Sequence, residues 1–180
     1  MDEFYTLHVA GLTRQLPICK LNEELSIAGF VMFSDVELTM ACAEELLKKL
    51  PEYDVLLTAE SKGIPLAYEM SRRNGKKYIL ARKAVKLYMK NPVGVEVKSI
   101  TTDRLQTLYL DQPDMEYLKG KRLAIVDDVI STGESLLALE HLAEKAGATI
   151  VAKATVLAEG DAAKRDDIIY LEELPLIPNH

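Results

Sequence analysis

Cysteine is scarce in this 180-residue sequence, with only Cys19 and Cys42 present. Two thiols make no disulfide framework and lack metal-site spacing, so a reducing, cytoplasmic setting is the simplest expectation. Histidine is equally sparse: His8, His141 and His180 are scattered, and none forms a metal constellation or a catalytic pair by spacing. The helical context of His141 is expected to turn it toward solvent. There is no basic block, and the net charge of −6 argues against a nucleic-acid surface. No apolar run approaches the roughly 20 residues of a membrane span. The start, Met1 to Ala10, carries acidic residues and no long apolar core, so a signal peptide is not expected. Repeats and low-complexity segments are missing too. What remains is an ordinary globular composition, 48% hydrophobic and 28% charged, of a size for one domain over residues 1–180.

One stretch organises the chain. Leu123 to Val126 is a short apolar run without alternation, the pattern of a strand buried on both faces. It ends in two carboxylates, Asp127 and Asp128, followed by Val129, Ile130, Ser131, Thr132, Gly133, Glu134 and Ser135. Leu136, Leu137, Leu139, Leu142, Ala143 and Ala146 then recur at helical spacing, and Gly147 closes the helix. In an open parallel sheet, ligands sit beyond the carboxyl ends of the strands, where the two aspartates fall. Adjacent carboxylates accept hydrogen bonds from a pair of sugar hydroxyls. The free N–H groups of the loop and helix start, with roughly half a positive charge from the helix dipole, suit a phosphate monoester. Ser131, Thr132 and Ser135 add hydroxyl donors, and Gly133 lets the backbone approach. A lysine where a nucleoside-triphosphate loop would place one is missing, which disfavours ATP hydrolysis. The implied ligand carries ribose hydroxyls at one end and a 5′-phosphate at the other.

Upstream, Asp35 caps a helix that runs to about Leu50 and is stopped by Pro51. Asp54 to Thr58 reads as a second buried strand, followed by Ala59-Glu60-Ser61-Lys62-Gly63 and a helix through roughly Arg73. Lys77 to Ala81 is a third strand. Arg82, Lys83, Lys86 and Lys90 after it put four cations into nine residues, the main basic concentration of an acidic chain. Residues 84–102 form a long connection without helical periodicity. Arg104 to Leu110 alternates as a strand, and Gln112 to Lys119 reads as a charged turn. Thr149 to Leu157 is a further strand ending at Ala158-Glu159-Gly160, where Glu159 is either a ligand contact or an ordinary turn residue. Asp161 to Asp167 is polar, and Ile168 to Leu171 is a last short strand. The proline-broken tail is expected to lie over the domain edge.

The strand, Asp-Asp, two residues, Thr-Gly and following helix resemble the phosphoribosyl pyrophosphate signature of the type I phosphoribosyltransferases. The resemblance covers roughly residues 35–172 and is closest to the adenine and xanthine branch. It implies an α/β fold: a Rossmann-like, mostly parallel sheet of strands 54–58, 77–81, 122–127 and 149–157 flanked by helices. It also implies a small N-terminal hood over residues 1–34 and a flexible flap over 84–102. The implied activity is transfer of phosphoribose from phosphoribosyl pyrophosphate to a purine base, adenine favoured, in purine salvage. The alternatives are a regulatory or otherwise non-catalytic phosphoribosyl pyrophosphate or nucleotide-binding protein, xanthine, hypoxanthine, guanine or other base specificity, and, more remotely, a kinase or phosphatase.

Within the resemblance, Asp127 and Asp128 anchor the ribose, and Ile130, Ser131, Thr132, Gly133, Glu134 and Ser135 hold the 5′-phosphate. Glu60, Ser61, Lys62 and Gly63 form the pyrophosphate loop, with Lys86 nearby. Arg82 and Lys83 stabilise the departing pyrophosphate together with Mg2+. The ion is held mainly by substrate, with Asp127 and Asp128 as the available protein ligands. Glu159 would stand on the base side, and a homodimer is expected. Leu25 to Phe33 packs either on the base or into the core, or serves an interface. The chain departs from the adenine pattern in the flap. Where a Leu-Glu-Tyr-Gly-like run would stand, it has Val97-Lys98-Ser99-Ile100-Thr101-Thr102, with Glu96 the nearest acid.

Overall fold

The computed structural model describes residues 4–98 and 104–180. Phe4–Val9 (β1) and Leu12–Lys20 (β2) form an antiparallel hairpin, and Leu25–Ala28 (β3) adds to β2. Val36–Lys49 (α1) follows, capped by Asp35, whose carboxylate accepts from the Leu38 N–H at 3.1 Å. Next come Val55–Ala59 (β4), Ile64–Asn74 (α2) and Lys77–Ala81 (β5). Val93–Lys98 (β6) and Leu105–Leu110 (β7) pair antiparallel, and Gln112–Leu118 (α3) leads to Arg122–Ile130 (β8). Glu134–Ala146 (α4), Thr149–Glu159 (β9), Ile169–Leu174 (β10) and Ile177–Pro178 (β11) complete the chain, with a short 3-10 helix at Gly160–Lys164.

The central sheet has five parallel strands in the order β10-β9-β8-β4-β5. One face is covered by α3, α4 and the β6–β7 hairpin, packed on Val55, Leu57, Leu123 and Ile125. The other is covered by α1, α2 and the N-terminal strands, packed on Leu56, Ala124, Val126 and Ala154. Both faces are therefore apolar, which is why Leu123 to Val126 does not alternate and is at most 1% exposed. Burial of each large side chain here contributes about 1.5–3 kcal/mol. Among the described residues no helix is long and apolar enough to cross a membrane.

Several expectations are corrected. Residues 84–102 are not irregular throughout: Val93, Val95 and Val97 lie on β6, with Val95 and Val97 buried under the hairpin. Residues 84–92 are turns and bends, as expected of a connection, and residues 99–102 lie outside the described residues. The charged turn at 112–119 is a helix, capped by the Asp111 carboxylate on the Asp114 N–H and holding Met115 and Leu118 in the core. The tail does more than cover an edge, since β11 pairs with β3 and completes a four-stranded sheet, β1-β2-β3-β11. For Leu25 to Phe33, where the sequence leaves base, core and interface all open, Ala28, Phe30 and Met32 enter the core while Val31 and Phe33 stay exposed. His141 is half-buried and lines a groove with Gly94, Glu96, Tyr109 and Glu144, not open solvent.

Candidate active site

The sheet opens between β4 and β8. These strands pair from Val55 to Leu57 against Leu123 to Ile125 and no further. Beyond that point β4 turns into α2 on one face, while β8 continues to Ile130 alongside β9 and feeds α4 on the other. The two helices leave in opposite directions, so the gap is the switch point of a doubly wound sheet, where such folds bind ligands. Asp127 and Asp128 lie inside the extended β8, not after it, at the floor of this gap.

A cavity of about 160 Å³ occupies the gap, lined by Ala59, Glu60, Ser61, Lys62, Lys83, Gln106, Asp127, Asp128 and Ser135. A second, of about 150 Å³, is lined by Asp127 and Val129 through Leu136. Asp127 and Ser135 border both, so one elongated ligand would run from the 60–63 turn across the aspartates to the 130–135 loop. Asp127 Oδ1 accepts from the Asp128 N–H at 2.8 Å, and Asp128 Oδ1 accepts from the Val129 N–H at 2.8 Å. Asp128 Oδ2 is buried with no hydrogen-bond partner among the described residues. Burial, reinforced by the neighbouring Asp128 carboxylate, holds the Asp127 carboxyl well above the usual carboxylate range, and Lys62 draws it back down.

The two loops achieve close approach through glycine. A Cβ on Gly63 would overlap Thr58 Oγ1 and come within 3.1 Å of Asp127 Oδ1. Gly133, at φ +83°, takes the left-handed conformation at the start of α4, which suits a residue without a Cβ. Glu60 ties its turn to the end of β5: Oε2 accepts from the Lys83 N–H at 3.0 Å and from Arg82 Nε at 3.3 Å. The Lys83 amide and then Arg82 hold the Glu60 carboxyl below its ordinary range.

The structure thus brings together Glu60, Ser61, Lys62, Gly63, Lys83, Asp127, Asp128 and Ile130 through Ser135. Arg82 is placed differently from expectation. Its guanidinium pairs with Glu60 and the Tyr88 hydroxyl and lines a separate cavity of about 260 Å³ with Lys77, Met89, Asp111 and Asp114. Lys86 lines neither cavity of the gap, although its charge is felt by Glu60. Glu159 ends β9 in register with Leu174 and also lines neither. Glu96 faces the His141 groove. Sequence reasoning missed Gln106, which donates to Ser135 Oγ at 3.1 Å from β7, and Arg165, which stands against Gly133. Gln106 carried no signal beyond its place on an alternating strand.

A metal would find two carboxylates here, one with an unpartnered buried oxygen. No group of three or more His, Cys, Asp or Glu among the described residues is placed to hold one. That donor set fits Mg2+ arriving with phosphate oxygens of a ligand, since this ion binds through one or two carboxylates plus substrate and water.

Comparison with known proteins agrees with this geometry. The chain is 37% identical over 112 residues to the hypoxanthine/guanine phosphoribosyltransferase of Methanococcus voltae, covering 62% of this chain and 56% of that protein. It thus spans little more than half the length of that relative. It is 32% identical over 127 residues to the adenine phosphoribosyltransferase of Rhodococcus jostii, covering 70% of this chain and 69% of that one. The solved adenine phosphoribosyltransferase of Thermoanaerobacter pseudethanolicus superposes with a TM-score of 0.67 at 22% identity, over 79% of this chain and 84% of that one. That of Leishmania donovani gives 0.66 at 17% identity, over 97% and 76%. These likenesses show the type I phosphoribosyltransferase fold. Residues 35–176 match the sequence profile of the phosphoribosyl transferase domain, and the chain belongs to that family.

Proposed function

We propose that this protein transfers the 5-phosphoribosyl group from phosphoribosyl pyrophosphate to a purine base, adenine favoured, releasing pyrophosphate and a purine nucleoside monophosphate. One observation carries the reading. An aspartate pair floors a gap between two glycine-containing loops, and the cavities of those loops meet at Asp127 and Ser135. In this reading Asp127 and Asp128 accept hydrogen bonds from the ribose hydroxyls, and the 130–135 loop receives the 5′-phosphate on its N–H groups and hydroxyls. Lys62, Lys83 and the turn at 60–63 receive the pyrophosphate, while Arg82 acts through Glu60. The bond from C1 to the pyrophosphate oxygen breaks with its electron pair leaving on pyrophosphate, and the purine nitrogen bonds to C1. Preorganised cations near the leaving oxygens favour that charge separation. Mg2+, held by substrate with Asp127 and Asp128 in reach, supplies further neutralisation when bound. Residues 84–102 and the N-terminal segment 1–34 are the flap and hood of this reading, and closure of the flap excludes water.

The relatives include both adenine and hypoxanthine/guanine enzymes. The deciding experiment measures pyrophosphate release from phosphoribosyl pyrophosphate and Mg2+ against adenine, hypoxanthine, guanine, xanthine, uracil and orotate. Turnover with adenine supports the proposal, and turnover only with an oxopurine replaces the base. A second reading, a non-catalytic ligand sensor, is favoured by Glu96, the nearest acid to the flap position, facing the groove of His141 instead of the gap. Binding of phosphoribosyl pyrophosphate without turnover on any base would select it.

We also infer a homodimer. Met32, Val36, Met40, Pro65 and Tyr68 line an apolar hollow of about 270 Å³, with Val36 69% and Tyr68 57% exposed. Light scattering after size exclusion tests it: a single monomer mass at micromolar protein refutes the inference.

A further inference from the structure

The 130–135 loop contains no lysine or arginine, and the acids Asp127 and Glu134 border its cavity. A phosphate dianion seated there would meet hydroxyls and N–H groups but no full positive charge from its own loop. A cation stands against the loop itself, contributed by the connection between β9 and β10; Arg165 does not line the loop's cavity but backs its wall at Gly133. A Cβ placed on Gly133 would come within 2.8 Å of Arg165 Nη1, so the guanidinium lies against the bare α-carbon of the loop.

The side chain is fixed in that position. Arg165 Nε and Nη2 donate to Asp167 Oδ1 and Oδ2, each at 2.8 Å, a bidentate fork that turns Nη1 toward Gly133. Asp167 Oδ2 also accepts from Lys153 Nζ at 3.0 Å, and Lys153 donates to Glu140 on α4 at 2.7 Å. Arg165 and Lys153 together hold the Asp167 carboxyl far below its usual range. Charges therefore alternate along a row from Glu140 to Arg165, and its positive end is the one that meets the loop. Arg165 is only about one-third exposed, and Lys153 and Glu140 less, so water screens the row incompletely.

We propose that Arg165 supplies the positive charge of the 5′-phosphate subsite, with Asp167 as the positioning residue that keeps its guanidinium on Gly133. The inference rests on the phosphoribosyl reading above. It also gives Gly133 a second reason to be glycine: a methyl group there would push the cation off the loop.

Calorimetric titration of the intact protein with three ligands tests it: phosphoribosyl pyrophosphate with Mg2+, ribose 5-phosphate, and pyrophosphate with Mg2+. Arg165→Gln should weaken the first two about tenfold and leave pyrophosphate unchanged. Arg165→Lys should recover part of the loss. Asp167→Asn, which keeps the cation but loosens its clamp, should show a smaller loss with the same ligand pattern. Unchanged ribose 5-phosphate affinity in Arg165→Gln overturns the inference while leaving the site reading intact. So does an equal loss for pyrophosphate, which would mark a merely structural role. If Arg165→Gln does not fold by circular dichroism, Asp167→Asn decides by the same ligand pattern. Failure of the wild-type protein to bind phosphoribosyl pyrophosphate refutes the phosphoribosyl reading itself, before any variant is compared.

Discussion

Gly63→Ala tests how tightly the two halves of the site close on each other. The backbone at Gly63 is right-handed helical, φ −79° and ψ −9°, so alanine meets no conformational strain there. Any effect must come from the methyl group. It would lie well under 3.0 Å from Thr58 Oγ1 and 3.1 Å from Asp127 Oδ1. Thr58 is 0% exposed near the end of β4, an interior strand between β8 and β5, so it cannot swing into solvent. Overpacking of this kind costs about 1–3 kcal/mol, and we expect about 2 kcal/mol lost in urea denaturation at constant m-value. The Michaelis constant for phosphoribosyl pyrophosphate should rise as well, because the displaced turn and Asp127 share one cavity. Thr58→Ala removes the hydroxyl that collides. By itself it loses a methyl group worth about 0.8 kcal/mol, offset in part because the deleted hydroxyl has no partner among the described residues. The double variant should therefore unfold close to Thr58→Ala alone, a coupling of at least about 1 kcal/mol. If the two substitutions add, or Gly63→Ala unfolds at the wild-type midpoint, the close packing does not constrain this turn.

Three other outcomes follow from the charges. Folding raises the affinity of Asp127 for a proton, so its stabilising contribution is full below the unfolded carboxylate pKa of about 4 and is lost as pH rises through the folded value. Asp127→Asn should accordingly be more stable than wild type at pH 7 in chemical denaturation, with the gap closing toward pH 4, while losing phosphoribosyl pyrophosphate binding. Asp35 behaves in the opposite sense: Arg14, at 2.8 Å, lowers its pKa, so its contribution is present above pH 4 and is lost in acid. Asp35→Ala should cost about 1–2 kcal/mol at pH 7, by loss of the α1 cap, and less at pH 3. Lys83→Ala should slow turnover more than Arg82→Ala, because Lys83 borders the gap and Arg82 touches it only through Glu60. The reverse order in steady-state kinetics would move Arg82 to the pyrophosphate, and no effect from either would remove both.

The parts of the site that are contiguous in sequence were legible there. A buried strand, a small-residue turn and a helix specify one another locally, so Asp127, Asp128, the 130–135 loop and the 60–63 turn could be placed in three dimensions from their order alone. Contacts made across elements were not legible. Gln106 reaches Ser135 only because the β6–β7 hairpin folds over α4, and nothing in an alternating strand announces where its tip will lie. Arg165 looked like one charge in a polar stretch, since its meaning depends on Asp167 and Lys153 holding it. Arg82 was read as a cation at a strand end; the same position allowed it to turn toward Tyr88 and Glu60. The α3 helix did carry a signal, Asp111 as cap with Pro113 in the first turn, but its two buried residues gave too little periodicity to outweigh its charge.

The N-terminal segment shows how burial narrows what a pattern leaves open. From sequence, Leu25 to Phe33 is strongly apolar, and contact with a base or with the core explains it equally, with an interface as a further possibility. In the fold the segment alternates: Phe30 and Met32 are 4% and 1% exposed, Val31 and Phe33 49% and 45%. A side chain buried in one core cluster with Leu38, Leu66 and Met70 cannot also leave it to stack on a purine without opening a cavity that costs several kcal/mol, on the order of 3. The segment therefore serves the core with one face; Leu25 and Ile27 are half-buried, Met32 borders the apolar hollow, and the exposed apolar side chains are Val31 and Phe33. If the base is gripped from this side, those two residues do it, and replacing either by serine should change base affinity while leaving the unfolding midpoint near wild type. A change at Phe30 should do the reverse.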